Sequence, residues 1–176
     1  ISIVEACANS RTLPISILRS LKNRSLVEQP SSQRYQLHSL IKAFAKNVDR
    51  FPAPILAKGK KVACAHYMSR LADNANDYWS KDTCKQSLDS FNEERQNFEH
   101  FLPVFAQRRG SEAMKSCEAF FVNLSQKCMY LEMCVLPRFY TDFLQQFLKA
   151  FSDPDSHQVQ RVELLCLLGH EMRKVG

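Results

Sequence analysis

Between Leu88 and Phe105 the chain places Leu88, Phe91, Arg95, Phe98, Leu102 and Phe105 at alternating intervals of three and four. Only an α-helix gathers such positions into one narrow stripe, and a stripe that narrow suits a partner helix. Arg95 falls on it, where it either snorkels or pairs with an acid of a neighbouring helix. The same period recurs on both sides. Ala65, Met68, Leu71, Ala75 and Tyr78 stripe a helix from about Lys61 to Trp79, and "SKDT" interrupts it with Asp82 or Thr83 able to cap. Pro103 predicts a kink or an early end of the second helix. Gly110 and Ser111 open a break, followed by helices from about Glu112 to Lys127 and from about Val135 to Phe151. "SDPDS" is a turn, and "HQVQRVELLCLLGHEMRKVG" is a last helix. With only four glycines in 176 residues, a β-rich fold with many tight turns and a glycine-rich phosphate loop are both disfavoured. The expected fold class is mainly α, an array of antiparallel helical hairpins.

The first fifty residues follow another pattern. "ISIVEACA" is the tail of a short helix that "NSRT" breaks. Thr12 can cap the next helix and Pro14 suits its first turn, and Ile17, Leu18 and Leu21 share a face. "SLVEQ" and "RYQLH" are two short strands around the turn-forming "PSSQ". A helix from Ser39 to about Val48 follows, with Leu40, Ile41, Phe44, Ala45 and Val48 as its stripe. Helix, helix, two-stranded wing, helix is the order of a winged helix-turn-helix truncated at its N-terminus. His38 stands at the joint between strand and helix, the side chain that titrates nearest neutrality. The segment "DRFPAPILAKGKK", with two prolines and little periodicity, marks a boundary. The organisation expected is a winged-helix domain over 1–50, a linker over 51–61 and a helical repeat region over 62–176.

Charge divides along the same line. Residues 1–61 carry 11 Lys/Arg against 3 Asp/Glu, and residues 62–176 carry 13 against 15, so +8 and −2 make the net +6. A basic first third faces nucleic acid, an acidic domain, a phosphate, or only solvent. Seven cysteines, an odd number with no C-x-x-C, lie mostly in apolar helical stretches. That argues for a reducing, cytoplasmic setting without a disulfide framework or zinc site. His66, His100, His157 and His170 lack ligand-spaced partners, and no nucleophile motif occurs, so neither a metal nor a catalytic role is expected. No apolar run is long enough to cross a bilayer. The start at Ile1, without methionine, and the stop inside a helix suggest a segment of a longer protein.

Two separated motifs resemble one family. "LRSLKNRSLVEQPSSQRYQLHSLIKAFAK" is similar to the winged-helix domain of signal-transducing NTPases of the NB-ARC type, the apoptotic and immune sensors, through Leu18, Leu21, Ser25, Leu26, Val27, Arg34, Tyr35, Leu37, His38, Leu40, Ile41, Phe44 and Ala45. "FNEERQNFEHFL" resembles the helix that opens the tetratricopeptide-like region of many members, through Glu94, Arg95, Asn97, Phe98 and Leu102. Leu165, Leu168, Gly169, Met172 and Gly176 have the spacing of the first helix of a tetratricopeptide repeat, with Met172 in place of the usual aromatic and Gly169 expected to admit a neighbouring helix closely.

The resemblance implies a non-catalytic regulatory segment. Its winged helix would couple the ADP or ATP state of a nucleotide domain to the helical array, and the array would bind protein. His38 would contact the diphosphate of ADP, bound with magnesium in the parent chain; this segment lacks the G-x-x-x-x-G-K-[ST] loop and would hold no cofactor itself. Ser39 stands where the family often has Asp; it can cap the helix but supplies no charge. Partners would be other domains of the same chain and protein ligands of the repeats, with no membrane. Two alternatives stay open. One is a DNA-binding winged-helix regulator using Arg19, Lys22, Arg24 and Arg34, with a helical effector or dimerisation region. The other is a plain helical scaffold.

Overall fold

A computed structural model describes residues 14–31, 34–40, 43, 53–107, 117–151 and 158–175. It is mainly helical with one small antiparallel sheet. In chain order the elements are α1 (Pro14–Asn23), β1 (Val27–Ser31), β2 (Arg34–Leu37), α2 (Ala53–Tyr78), α3 (Cys84–Ala106), α4 (Glu118–Phe121), α5 (Leu124–Cys134), α6 (Pro137–Ala150) and α7 (Gln158–Val175). The chain divides into two compact units, Ile1–Ala63 and Cys64–Gly176. The expected first helix, Thr12, and most of the helix after His38, including Ile41, Phe44, Ala45 and Val48, lie outside the described residues.

In the first unit Pro14 opens α1, where its missing N–H costs nothing. The helix ends in a two-bond wrap: Ser25 N–H donates to Lys22 O at 2.9 Å and Leu26 N–H to Leu21 O at 3.0 Å. That closure requires a left-handed residue at its turn, and Ser25 takes it with φ 55°. The reversed chain then enters β1. Val27 pairs Leu37 and Glu28 pairs Gln36, after which the register shifts before Ser31 meets Arg34. Pro30 lies in the shifted stretch, where no ladder N–H is required of it. The hairpin expected between residues 25 and 38 is therefore present.

Three expected boundaries move. Helix α2 starts at Ala53, not near Lys61, so most of the supposed linker is helical. Its one glycine, Gly59, sits in open space and does not break it. Helix α3 runs through Pro103 and ends at Ala106, one turn on; so near the C-terminus the lost donor removes only one bond, while Pro103 O still accepts from Gln107 N–H at 3.1 Å. The helix expected to reach Lys127 is instead split: Asn123 adopts φ 54° between α4 and α5, and α5 runs past Lys127 to Cys134. Extended Val135 and Leu136 make the actual break, and Pro137 opens α6.

The second unit holds the core. Helices α2 and α3 are antiparallel: Cys64 Sγ lies 3.9 Å from Phe101 O at one end, and Ser87 Oγ donates to Asn74 O at 2.6 Å at the other. The α3 stripe behaves as its spacing requires, with Phe91, Phe98, Leu102 and Phe105 buried. Helix α6 packs on α3 and α7, and α7 also on α5. Phe147 joins the phenylalanine cluster at ring distances of 5.4 Å from Phe105 and 5.2 Å from Phe143. Among the described residues Arg95 meets no acid of a neighbouring helix. It lies over the Phe91 ring, donates to Cys134 O at the end of α5 at 2.7 Å, and pairs with Glu99 of its own helix at 3.5 Å.

Candidate functional site

The joint between wing and helix is built by backbone first. His38 N–H donates to Leu26 O at 3.3 Å, which extends the ladder one residue past β2 and fixes where the chain turns. The chain becomes helical at Ser39. Helix starts leave N–H groups without intrahelical acceptors, and the Nδ1 atom of His38 accepts one of them, from Leu40, at 3.3 Å. His38 is therefore the N-cap, the role expected of Ser39, which is exposed on the first turn. Because Nδ1 accepts, the ring proton of a neutral His38 belongs on Nε2. That atom faces Glu28 Oε1 at 3.6 Å, too long for a hydrogen bond but close enough for attraction. The other oxygen of Glu28 accepts from Gln36 Nε2 at 2.8 Å.

Glu28 went unnoticed in the sequence. The signal was available: in a hairpin pairing Val27 with Leu37, the residue after Val27 lies beside Gln36 and near the residue after Leu37. Its presence changes what His38 can do. An anion approaching Nε2 meets a carboxylate at the same edge, so it competes with Glu28 for the Nε2–H donor.

The four candidate basic residues are not one cluster of equivalent groups. Arg19, Lys22 and Arg24 are exposed on or just after α1. Lys22 Nζ donates to Gln29 Oε1 at 2.8 Å, tying helix to wing. Arg34 is the first residue of β2, paired in register with Ser31.

In the helical unit the second motif makes a contact between helices. Glu94 pairs with Arg70 of α2 at 3.6 Å and accepts from Asn97 Nδ2 at 2.6 Å, while Phe98 and Leu102 are buried. The repeat-like spacing in α7 behaves differently. Leu164, Leu167, Leu168 and Glu171 face the packed side. Leu165 and Met172 are exposed, and a Cβ on Gly169 would meet nothing within 4 Å, so among the described residues no helix approaches it closely. Of the expected stripe Leu168 is packed, while Leu165, Gly169 and Met172 are open because α7 docks on α5 and α6 through the side that carries Leu164.

A buried polar seam also escaped the sequence reading. Tyr130 OH donates to Ser87 O at 3.0 Å, and Lys127, buried, donates from Nζ to Asn76 Oδ1 at 2.6 Å. Burial lowers the Lys127 pKa, and Asp73 opposes that shift. Burial pushes the Tyr130 and Tyr140 hydroxyls and the Cys117 and Cys128 thiols up, and the Cys134 thiol up to about 11. These thiols stay protonated near neutrality and are poor nucleophiles. Among the described residues no three metal-binding side chains converge, and no helix is long and apolar enough to cross a membrane. The chain matches no known family model, no curated protein and no solved structure.

Proposed function

We propose that this chain is a non-catalytic regulatory and interaction segment of an NB-ARC-type sensor NTPase. In this reading a winged helix senses the nucleotide state of another domain, and a tetratricopeptide-like array binds protein. The observation that carries it is the joint: a histidine ends the wing, caps the following helix through Nδ1 and turns Nε2–H outward beside an exposed carboxylate. Such a histidine can donate a hydrogen bond from Nε2–H to a phosphate oxygen without losing the cap. The exchange with Glu28 gives the device two positions, one with the carboxylate and one with ADP. The succession of helical hairpins, with α7 stacked beside α5, supports the array.

The test uses the full-length parent protein and measures ADP release. A hydrogen bond to a charged phosphate contributes about 1.5–3 kcal/mol, so His38→Ala should speed release roughly ten- to a hundredfold. His38→Ser separates the two roles, because serine restores the helix cap but lacks the reach. It should release ADP as fast as His38→Ala. Glu28→Gln should slow release, since it removes the competing carboxylate. A wild-type rate in His38→Ser would reduce His38 to a helix cap.

The exposed Arg19, Lys22 and Arg24 favour a second reading, a DNA-binding winged helix. Sequence-selective, submicromolar binding to duplex DNA at physiological salt would establish it in place of the first. Weak binding that collapses with salt on every sequence is the outcome expected here.

A further inference from the structure

Neutral His38 makes one contact in each direction along the chain. Its Nδ1 accepts from Leu40 N–H of the following helix, and its Nε2–H faces Glu28 of β1. The two contacts respond oppositely to a proton. Protonation puts a hydrogen on Nδ1 as well, so both ring nitrogens become donors and the helix loses its acceptor. It also sets a positive charge at a helix N-terminus, where the peptide dipoles oppose it. The same charge strengthens the attraction to Glu28, whose Oε1 stands 3.6 Å from Nε2 and whose other oxygen accepts from Gln36 at 2.8 Å. The His38 side chain is 39% exposed, so solvent protons reach it. Glu28 is the charged group that meets the ring from β1. On β2 the nearer neighbour, Gln36, carries no charge, and Arg34 stands at the strand's opposite end. Lys22 at the end of α1 is engaged by Gln29, and Lys42, the next charge along the chain, lies outside the described residues.

We propose that this joint is a proton-operated switch between wing and helix. With His38 neutral, the ring caps the helix through Nδ1. With His38 protonated, the ring releases the helix and is held by Glu28 of the wing through Nε2–H. Histidine is the side chain that ordinarily changes charge near neutrality, so a modest change of pH suffices to drive the exchange. The switch belongs to the wing and its helix and needs no nucleotide. It goes beyond the ADP-sensing reading by giving the same ring a second input, the proton, with a separate output, the start of the helix.

The experiment follows the full chain by NMR, with isotope-labelled leucine and histidine, across the titration of His38. The neutral ring should show the Nε2–H tautomer. Protection of the Leu40 amide, corrected for the intrinsic pH dependence of exchange, should fall about fivefold as His38 takes up its proton, the effect of losing one helix cap. His38→Asn keeps a side-chain acceptor that does not titrate, so its Leu40 protection should stay level over the same range. Glu28→Gln should leave the fall at Leu40 in place, because the cap runs through Nδ1. It should also speed solvent exchange of the Nε2 proton of the charged ring by about two- to fivefold, since an exposed pair has been removed. Leu40 protection that ignores the His38 titration, or that falls equally in His38→Asn, would overturn the switch. So would an Nδ1–H tautomer in the neutral ring, or an Nε2 proton indifferent to Glu28→Gln. A wild-type rate of ADP release in His38→Ser, with the pH pattern at Leu40 intact, would leave the switch standing and remove only the nucleotide reading.

Discussion

The two units rest on different foundations. In Cys64–Gly176 the buried residues form one connected cluster, within which six phenylalanines, Phe105, Phe120, Phe121, Phe143, Phe147 and Phe151, are joined by ring contacts. In Ile1–Ala63 Val27 is the buried side chain among the described residues, and Ile17, Leu18, Leu21 and Leu26 are half-buried. What shapes the described wing is local: the closure at Ser25, the strand ladder, the Lys22–Gln29 tie and the His38 cap. Burial of apolar area scales with the side chains removed from water, whereas caps and exposed pairs each contribute about 1 kcal/mol or less. Among the described residues the second unit is accordingly held by a packed core, and the first is where single residues set the geometry.

The strongest challenge to this contrast is truncation. Phe147→Ala removes the ring shared by Phe105, Phe120, Phe121, Phe143 and Phe151, and should cost about 3–5 kcal/mol. Leu18→Ala, on the half-buried face of α1, should cost about 1 kcal/mol. Urea denaturation of both variants compares them directly. Equal losses would mean that the first unit is as dependent on packing as the second.

Alkaline pH should weaken the helical unit next. Five acidic groups there, Cys117, Cys128, Cys134, Tyr130 and Tyr140, have their pKa raised by burial. The unfolded chain gives up these protons first, so stability is complete below the ordinary thiol and phenol values and falls as pH rises. For Cys134 the loss runs from pH 9.0 to about 11. Lys127 acts in the opposite sense. Its pKa is lowered, the folded chain releases the proton before the unfolded one, and stability rises with pH over the interval below 10.5. With five groups against one, the net trend is a decline. Cys134→Ala should flatten it and Lys127→Met should steepen it, both read from denaturation midpoints across that range.

The smallest effect sharpens the other side of the contrast. Ser25 holds φ 55°, a conformation that glycine adopts without strain. Ser25→Gly should stabilise the closure of α1 by up to about 1 kcal/mol. Slower hydrogen exchange at the Leu26 amide, which donates to Leu21 O, is the measurement. Faster exchange would show that the serine side chain supplies something the backbone angle does not.

Periodicity alone determined the helix α3 and its buried stripe, the α2 stripe around Met68 and Leu71, the hairpin and the helix start after His38. These depend on residues within a turn or two of each other, and hydrophobic spacing encodes such local geometry directly. Helix ends were less legible. Pro54 suits the first turn of a helix and asparagine tolerates the left-handed region, so Ala53 and Asn123 carry local signals, but neither residue type by itself decides that a helix starts or breaks there. Pairings across the chain were decided only by the tertiary structure. Glu28 meets His38 because the strands register Val27 with Leu37, and Lys127 reaches Asn76 because the end of α2 comes up to α5. In α7 the sequence marks two apolar stripes, and only docking on α5 and α6 buries the one with Leu164 and leaves Leu165, Gly169 and Met172 open. A single helix with two apolar faces has no local reason to prefer either; the neighbours choose, by the area each face can remove from water.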